Sequence, residues 1–347
     1  MTNLSDSNLS DFCLKLPKIE AHAHINGSLS PSTMRALVAR KVDVNPELAA
    51  FEIPDSLNCI DDFFSLFKFI YQLTDDEASV TFATQKVIEE FAADGVRYLE
   101  LRTTPRANAD KGMTKHSYLQ AVIQAIEQQQ QANMKTRLII SIDRRNTLEE
   151  AQETVDLALH FQQCSNVVVG VDLCGDVMKG SFLALKPAFE RARQQGGFKL
   201  TLHFNEVAEN IPEAPELLSI RPDRLGHATL LDDYSRTTVY QQAIPVEICM
   251  TSNVFSKTVA TYEDHHVKQL LEEDHPFILC TDDKGVFGSD LSNEYVLAAK
   301  TFGLDRHQLF EASFKSIDYV FADQETKDQL KADWLAWKKD NQDLFVA

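Results

Sequence analysis

Eight short apolar runs, mostly separated by helical patterns, constrain this chain more than any other feature. They cover residues 16–24, 96–101, 137–142, 167–173, 199–202, 224–226, 245–249 and 276–281. Near-continuous apolar strands suit a parallel sheet buried on both faces. Eight of them alternating with helices predict a (β/α)8 barrel of the TIM type, with its reactive groups at the carboxyl ends of the strands. Polar residues stand at those ends: Arg102 to Arg106, Asp143 to Arg145, Cys174 to Asp176, His203 to Glu206, His227, Met250 to Asn253, and Asp282-Asp283. The joint pattern carries this reading, because single short runs also suit buried helix turns.

At 347 residues the chain can bury a large core, and no Pro/Gly/Ser-rich linker divides it. A single barrel domain over residues 1–347 is expected, with residues 1–14 as a flexible N-terminus. The one low-complexity tract, Gln128 to Gln131, fits a solvated helix face. Roughly seventy residues separate the first two runs, more than an ordinary connection. This helical insertion holds aromatics from Phe63 to Tyr71 at helical spacing. Helix packing explains most of them; a lid over the barrel mouth is the functional alternative, and Tyr71 stays open between the two. After Asp283 the chain reads as C-terminal helices, with Trp334 and Trp337 as packing residues.

The formal net charge of −18 argues against nucleic acid, which is bound by clustered Lys and Arg. A small anionic ligand is not excluded. Arg102, Arg106, Arg144 and Arg145 either form a local basic patch or make ion pairs on the rim. Six cysteines without a Cys-x-x-Cys pair, three of them in or at the end of apolar runs, fit free thiols in a reducing compartment. The polar first eleven residues resemble no secretory signal, and no run reaches membrane-spanning length. The expectation is a cytoplasmic monomer acting on a small molecule.

His22 and His24 end the first run two residues apart, so on a strand they share a face. With His203 and Asp282 they could hold one divalent ion; imidazole with a carboxylate suits zinc, and iron or cobalt also fit. Such an ion lowers the pKa of bound water toward neutrality. Glu206 could give a proton to a substrate nitrogen, and His227 could orient or deprotonate the water. Asp283 could accept a hydrogen bond from the substrate. Each residue has a blander reading: a core histidine, a loop or cap aspartate, a carboxylate favoured by a helix dipole. Their collection at several strand ends favours hydrolytic attack at an electron-poor carbon with loss of an amine.

His22-Ala23-His24-Ile25-Asn26-Gly27-Ser28, His203-Phe204-Asn205-Glu206, Leu225-Gly226-His227 and Thr281-Asp282-Asp283 resemble the adenosine deaminase family, from about Leu16 into the C-terminal helices. The resemblance implies a zinc-dependent barrel that hydrolytically deaminates adenine nucleosides and nucleotides. One Zn2+ per chain would be held by His22, His24, His203 and Asp282. Glu206 would protonate purine N1, His227 would assist the water, Asp283 would bond N7, and the backbone at Gly175 would approach N3. His24 and Asp143 would also line the substrate pocket.

Residues 101–106, 251–254 and 280–287 resemble the adenosine deaminase-like branch, the N6-methyl-AMP deaminases. That branch implies conversion of N6-methyl-AMP, and of related N6-substituted purine nucleoside monophosphates, to IMP and an amine. Asn26 stands where adenosine deaminases usually carry Asp. A carboxylate near the 5′ end would repel a phosphate, whereas an amide can donate to it. Thr103, Thr104 and Arg106 would add donors. The branch tends to have His where this chain has Tyr71, which alone cannot become cationic near neutral pH. Adenosine deaminase, AMP deaminase, another metal-dependent amidohydrolase and an inactive purine-binding barrel stay open as alternatives.

Overall fold

The computed structural model describes residues 6–51, 60–129 and 133–345, with the side chains of 6, 7 and 60–65 outside that description. Eight parallel strands pair in chain order: β1 (Lys18–His24), β2 (Val96–Thr103), β3 (Lys135–Asp143), β4 (Val168–Cys174), β5 (Lys199–Phe204), β6 (Arg224–His227), β7 (Val246–Ile248) and β8 (Phe277–Leu279). Every predicted run overlaps one strand. Nearly every strand residue is buried, as helices outside and packed side chains inside require.

The seam between β8 and β1 closes just beyond β8. Asp282 N–H donates to His22 O at 2.8 Å, and His24 N–H donates to Asp282 O at 3.0 Å. Backbone hydrogen bonds at the seam therefore place three of the predicted ligand residues side by side. Several non-glycine residues at the strand ends adopt left-handed backbone: Asn205 (φ 45°), His227 (φ 60°), Ala228 (φ 47°) and Asp282 (φ 62°). Such conformations cost energy and recur where a side chain must be aimed.

The insertion between β1 and β2 is helical as predicted, with helices Pro31–Lys41, Ile60–Leu73 and Glu77–Ala93. Leu66, Phe69 and Ile70 are buried, which is helix packing, while Tyr71 is 42% exposed. Phe63, Phe64, Cys59, Gln130 and Gln131 lie outside the described residues or side chains. C-terminal helices follow β8, including Leu291–Phe302, Arg306–Ser316 and Gln324–Asp340. Trp334 is buried and its indole donates to Ser313 Oγ at 2.9 Å; Ser313 Oγ donates to Pro17 O at 2.6 Å. Trp337 stacks on Phe310.

Within the expected flexible N-terminus of residues 1–14, the described residues from Asp6 on are instead a helix, Asp6–Lys15. Leu9, Phe12, Cys13 and Leu16 recur at the spacing of one helix face, and all four are buried. Phe12 meets Trp337 and Phe345 edge-on, so the first helix packs against the C-terminal end. Among the described residues no helix is long and apolar enough to cross a membrane, and the five described cysteines are free.

Candidate active site

His22 and His24 project from the end of β1, His203 from β5, His227 from the end of β6, and Asp282 from the segment after β8. Ligand atoms of His22, His203, His227 and Asp282 all lie within 4.8 Å of one another. His24 borders the same group, with its Nε2 3.3 Å from His203 Nε2 and 3.5 Å from Asp282 Oδ1. His22 Nε2 is likewise 3.5 Å from Asp282 Oδ1. His227 Nε2 instead faces the other carboxylate oxygen, Oδ2, at 3.9 Å. His22 and His24 thus share one oxygen of the Asp282 carboxylate, and His227 faces the other.

The structure supplies a test of whether these residues suit a cation. Glu247 Oε2 lies 2.7 Å from His22 Nδ1, and Asp172 Oδ1 lies 3.1 Å from His203 Nδ1. Burial favours the neutral acids, yet Arg102 beside both, with Arg224 at Glu247 and His203 at Asp172, holds their pKa values below the usual range. An ionised carboxylate only accepts, so each Nδ1 carries a proton and each Nε2 turns toward the cluster. His22 Nε2 is buried without a hydrogen-bond partner. Burial pushes His24 down to about 3, which leaves its ring neutral and able to coordinate a cation. At His203 burial also opposes charge, but Asp172 outweighs it and raises the ring to about 9, so the position favours added positive charge. Imidazole nitrogens converging on a carboxylate, at a position that favours added positive charge, suit a divalent metal ion.

Beneath them lies a buried charge network that sequence reading missed. Arg102 pairs with Asp172 at 3.2 Å and with Glu247. Arg224 donates to Glu247 Oε1 at 2.7 Å and to Glu100 at 2.5 Å. Thr201 and Ser141 complete the carboxylates at 2.9 Å each. These residues alternate with apolar ones along their strands, which is the available sequence signal, but pairing across six strands is visible only in the fold.

Glu206 stands beyond β5 with its Oε2 3.6 Å from His227 Nε2. Burial raises its pKa, despite the opposing pull of His203. Burial also holds His227 well below its ordinary value. Asp283 is raised well above a normal carboxyl by burial, then by the charges of Asp282 and Glu206. Its Oδ1 is buried without a partner and lies against Gly27, where a Cβ would come within 1.6 Å of it. Gly175, at φ 107°, backs onto Asp143, whose Oδ1 accepts from Arg145 N and Nε at 2.8 and 2.9 Å.

The remaining candidates group at the mouth. Asn26 Oδ1 accepts from Thr74 Oγ1 at 3.1 Å, and Asn26 Nδ2 lies 3.5 Å from the Tyr118 hydroxyl. That hydroxyl bonds Thr103 at 2.7 Å. Arg106 donates to Thr74 O at 3.0 Å and to its Oγ1 at 2.7 Å, and packs on Tyr71 4.3 Å from the ring centroid. Thr104 instead meets Cys174 Sγ at 3.4 Å. Thr74 and Tyr118 were missed because each lies on a helical stretch that reads as packing.

The four arginines divide. Arg102 is buried in its ion pairs, Arg144 pairs with Glu213, and Arg145 pairs with Asp143 at 2.5 Å. Among the described residues Arg106 has no carboxylate partner within 4.0 Å, and its Nε is buried without an acceptor. The ion-pair reading therefore holds for three, Arg102 in the buried floor rather than on the rim, and the patch narrows to Arg106.

An eight-stranded parallel barrel with a His/Asp cluster at its carboxyl end, flanked by a buried acid, defines a metal-dependent hydrolase. The adenosine deaminase family model matches residues 17–336, and the chain belongs to that family. A Xenopus laevis relative named N6-methyl-AMP deaminase is 42% identical over 95% of this chain and 96% of the relative. The apo structure of the N6-methyl-AMP deaminase from Arabidopsis thaliana, 38% identical, superposes with a TM-score of 0.88 over 96% of this chain and 100% of that one. An Arabidopsis structure complexed with IMP, also 38% identical, gives 0.86 over 95% and 99%.

Proposed function

We propose that this chain is a hydrolytic N6-methyl-AMP deaminase: N6-methyl-AMP and water give IMP and methylamine. Other N6-substituted purine nucleoside monophosphates fall within the same reading. The observation that carries the nucleotide choice is Arg106. A guanidinium with no carboxylate partner among the described residues, its Nε buried without an acceptor there, set among the neutral side chains of Asn26, Thr74, Thr103 and Tyr118, suits a terminal phosphate. Relatives named N6-methyl-AMP deaminase, and an Arabidopsis relative with IMP bound, support it.

His22, His24, His203 and Asp282 would hold one metal ion, and their imidazole and carboxylate chemistry favours zinc. When bound, the ion acidifies a water for attack at purine C6. Glu206, protonated to higher pH than an ordinary carboxyl, gives its proton to N1 as the C6 carbon becomes tetrahedral. Asp283, also raised, donates to N7 and holds the ring in register. His227 faces the reacting carbon between Glu206 and Asp282. The methylamine nitrogen leaves from C6 with a proton, and the C6 oxygen stays as the carbonyl of IMP. Asp143 and Gly175 line the pocket wall, and Tyr71 with Arg106 covers the phosphate end.

The free thiols suit a reducing cytoplasm, and the −18 charge argues against nucleic acid. The test incubates zinc-loaded protein separately with N6-methyl-AMP, AMP and adenosine, and identifies the products. IMP and methylamine from the first, with little turnover of the others, is the expected result. Preferred turnover of adenosine would overturn the nucleotide reading, and a metal-loaded chain inert on all three would favour an inactive purine-binding barrel.

A further inference from the structure

His227 is held from behind by residues that belong to neither the metal set nor the pocket. After β7 the chain makes an excursion and returns at His265-His266. His265 is 1% exposed, and its ring stacks on His266 with centroids 4.4 Å apart. His266 Nε2 donates to the His227 carbonyl at 2.7 Å, pinning a residue in left-handed backbone.

The hydrogen bonds of His265 have a fixed direction. Val267 N–H donates to His265 Nδ1 at 3.2 Å. A backbone amide only donates, so this nitrogen is bare and the neutral ring carries its proton on Nε2. His265 Nε2 therefore donates to Asn253 Oδ1 at 3.2 Å. That bond turns the Asn253 amide nitrogen toward His227 Nδ1, 3.1 Å away. A second neighbour agrees: Thr258 Oγ1 donates to Asn253 O at 3.1 Å and is left to accept from Asn253 Nδ2 at 3.3 Å. Both amide hydrogens are thus placed. His227 Nδ1 must accept, which puts the proton of the neutral ring on Nε2, the nitrogen facing Glu206 and Asp282.

We propose that His265 and Asn253 are positioning residues that fix the tautomer of His227, so that it presents an N–H donor to the reacting centre. In this state His227 orients the attacking oxygen and stabilises charge developing on it. It is not a free base that collects the proton of the water. The consequence for rate rests on the deaminase reading; the tautomer is a property of the folded chain.

The experiment is two-bond nitrogen–proton NMR of imidazole in zinc-loaded, histidine-labelled protein, with kinetics on N6-methyl-AMP. In the wild type His227 is expected with a bare Nδ1 and a protonated Nε2. Asn253→Asp offers only acceptors and should move the proton to Nδ1. Its kcat should fall on the order of 10²-fold or more, as wrong tautomers do elsewhere, with KM within about twofold and zinc content unchanged. His265→Phe keeps the stacking on His266 but frees the Asn253 amide, and should give mixed tautomers and a smaller loss; it decides the matter if the first variant does not fold. A wild-type His227 protonated on Nδ1, or variants that lose activity with the tautomer unmoved, would overturn the proposal. The expected tautomers in a chain inert on N6-methyl-AMP would support the relay and overturn the substrate reading.

Discussion

Arg102 and Arg106 stand four residues apart at the end of β2 and belong to two different electrostatic worlds. Arg102 lies in a floor where carboxylates and guanidinium groups are fully buried and paired. Arg106 lies in a mouth lined by neutral amides and hydroxyls, with no carboxylate partner among the described residues. Burying charge costs several kcal/mol per ion unless partners satisfy it, so the floor is held to one arrangement. That rigidity aims two imidazoles at one point. The mouth leaves a cation unsatisfied and so keeps capacity for a ligand. The floor prepares chemistry, and the mouth reads the substrate.

The largest effect should come from the residue between these regions. Glu206→Gln is expected to lower kcat by about 10²–10⁴-fold with metal content unchanged, checked by steady-state kinetics and metal analysis. The pH dependence has a defined sign. Because the folded pKa of Glu206 is raised, the proton-donating form is complete at low pH and is lost as pH rises through that value. In the wild type kcat/KM should therefore fall on its alkaline limb, and the variant should lack that component.

Next is the floor. Glu247→Ala leaves Arg102 and Arg224 without a shared carboxylate and should destabilise the fold by roughly 3–5 kcal/mol, measured by denaturant unfolding. Asp172 sharpens the point through pH. Its folded pKa is depressed, so its stabilisation is present above the ordinary carboxylate value of about 4 and is lost as pH falls below it. In metal-free protein Asp172→Asn should therefore flatten the acid side of the stability profile. An unchanged acid limb would show that Asp172 is not ionised in the floor.

At the mouth, Asn26→Asp should reduce kcat/KM for the nucleotide by about tenfold or more, with less effect on a nucleoside, because a carboxylate repels phosphate. Equal losses on both would remove Asn26 from the phosphate site. The smallest change is expected from Tyr71→Leu. Losing the ring under Arg106 removes about 0.5–1 kcal/mol at an exposed site, read as a rise in KM of about two- to fivefold.

The sequence reveals these two regions unequally. The strands were legible because a barrel strand buried on both faces must be apolar throughout, and the metal candidates because they interrupt that pattern at strand ends. The arginines were ambiguous, since nothing local distinguishes Arg102, whose partners lie on β4 and β7, from Arg106. Thr74, just past the end of one helix, and Tyr118, within another, were hidden because a buried polar group on a helical stretch reads as packing. Asn253 and His265 were out of reach for a related reason, because their bonds to His227 depend on how the excursion after β7 folds back. The N-terminal helix was legible in its Leu9, Phe12, Cys13 and Leu16 stripe, but the partner it needs comes from the far end of the chain.

The most direct test of the division between floor and mouth compares N6-methyl-AMP with N6-methyladenosine, a pair differing only in the phosphate, on wild type and Arg106→Ala. A strong nucleotide preference is expected in the wild type and should collapse in the variant, while the nucleoside rate and the zinc content stay nearly constant. A preference that survives the loss of Arg106, or a nucleoside rate that falls equally, would contradict it.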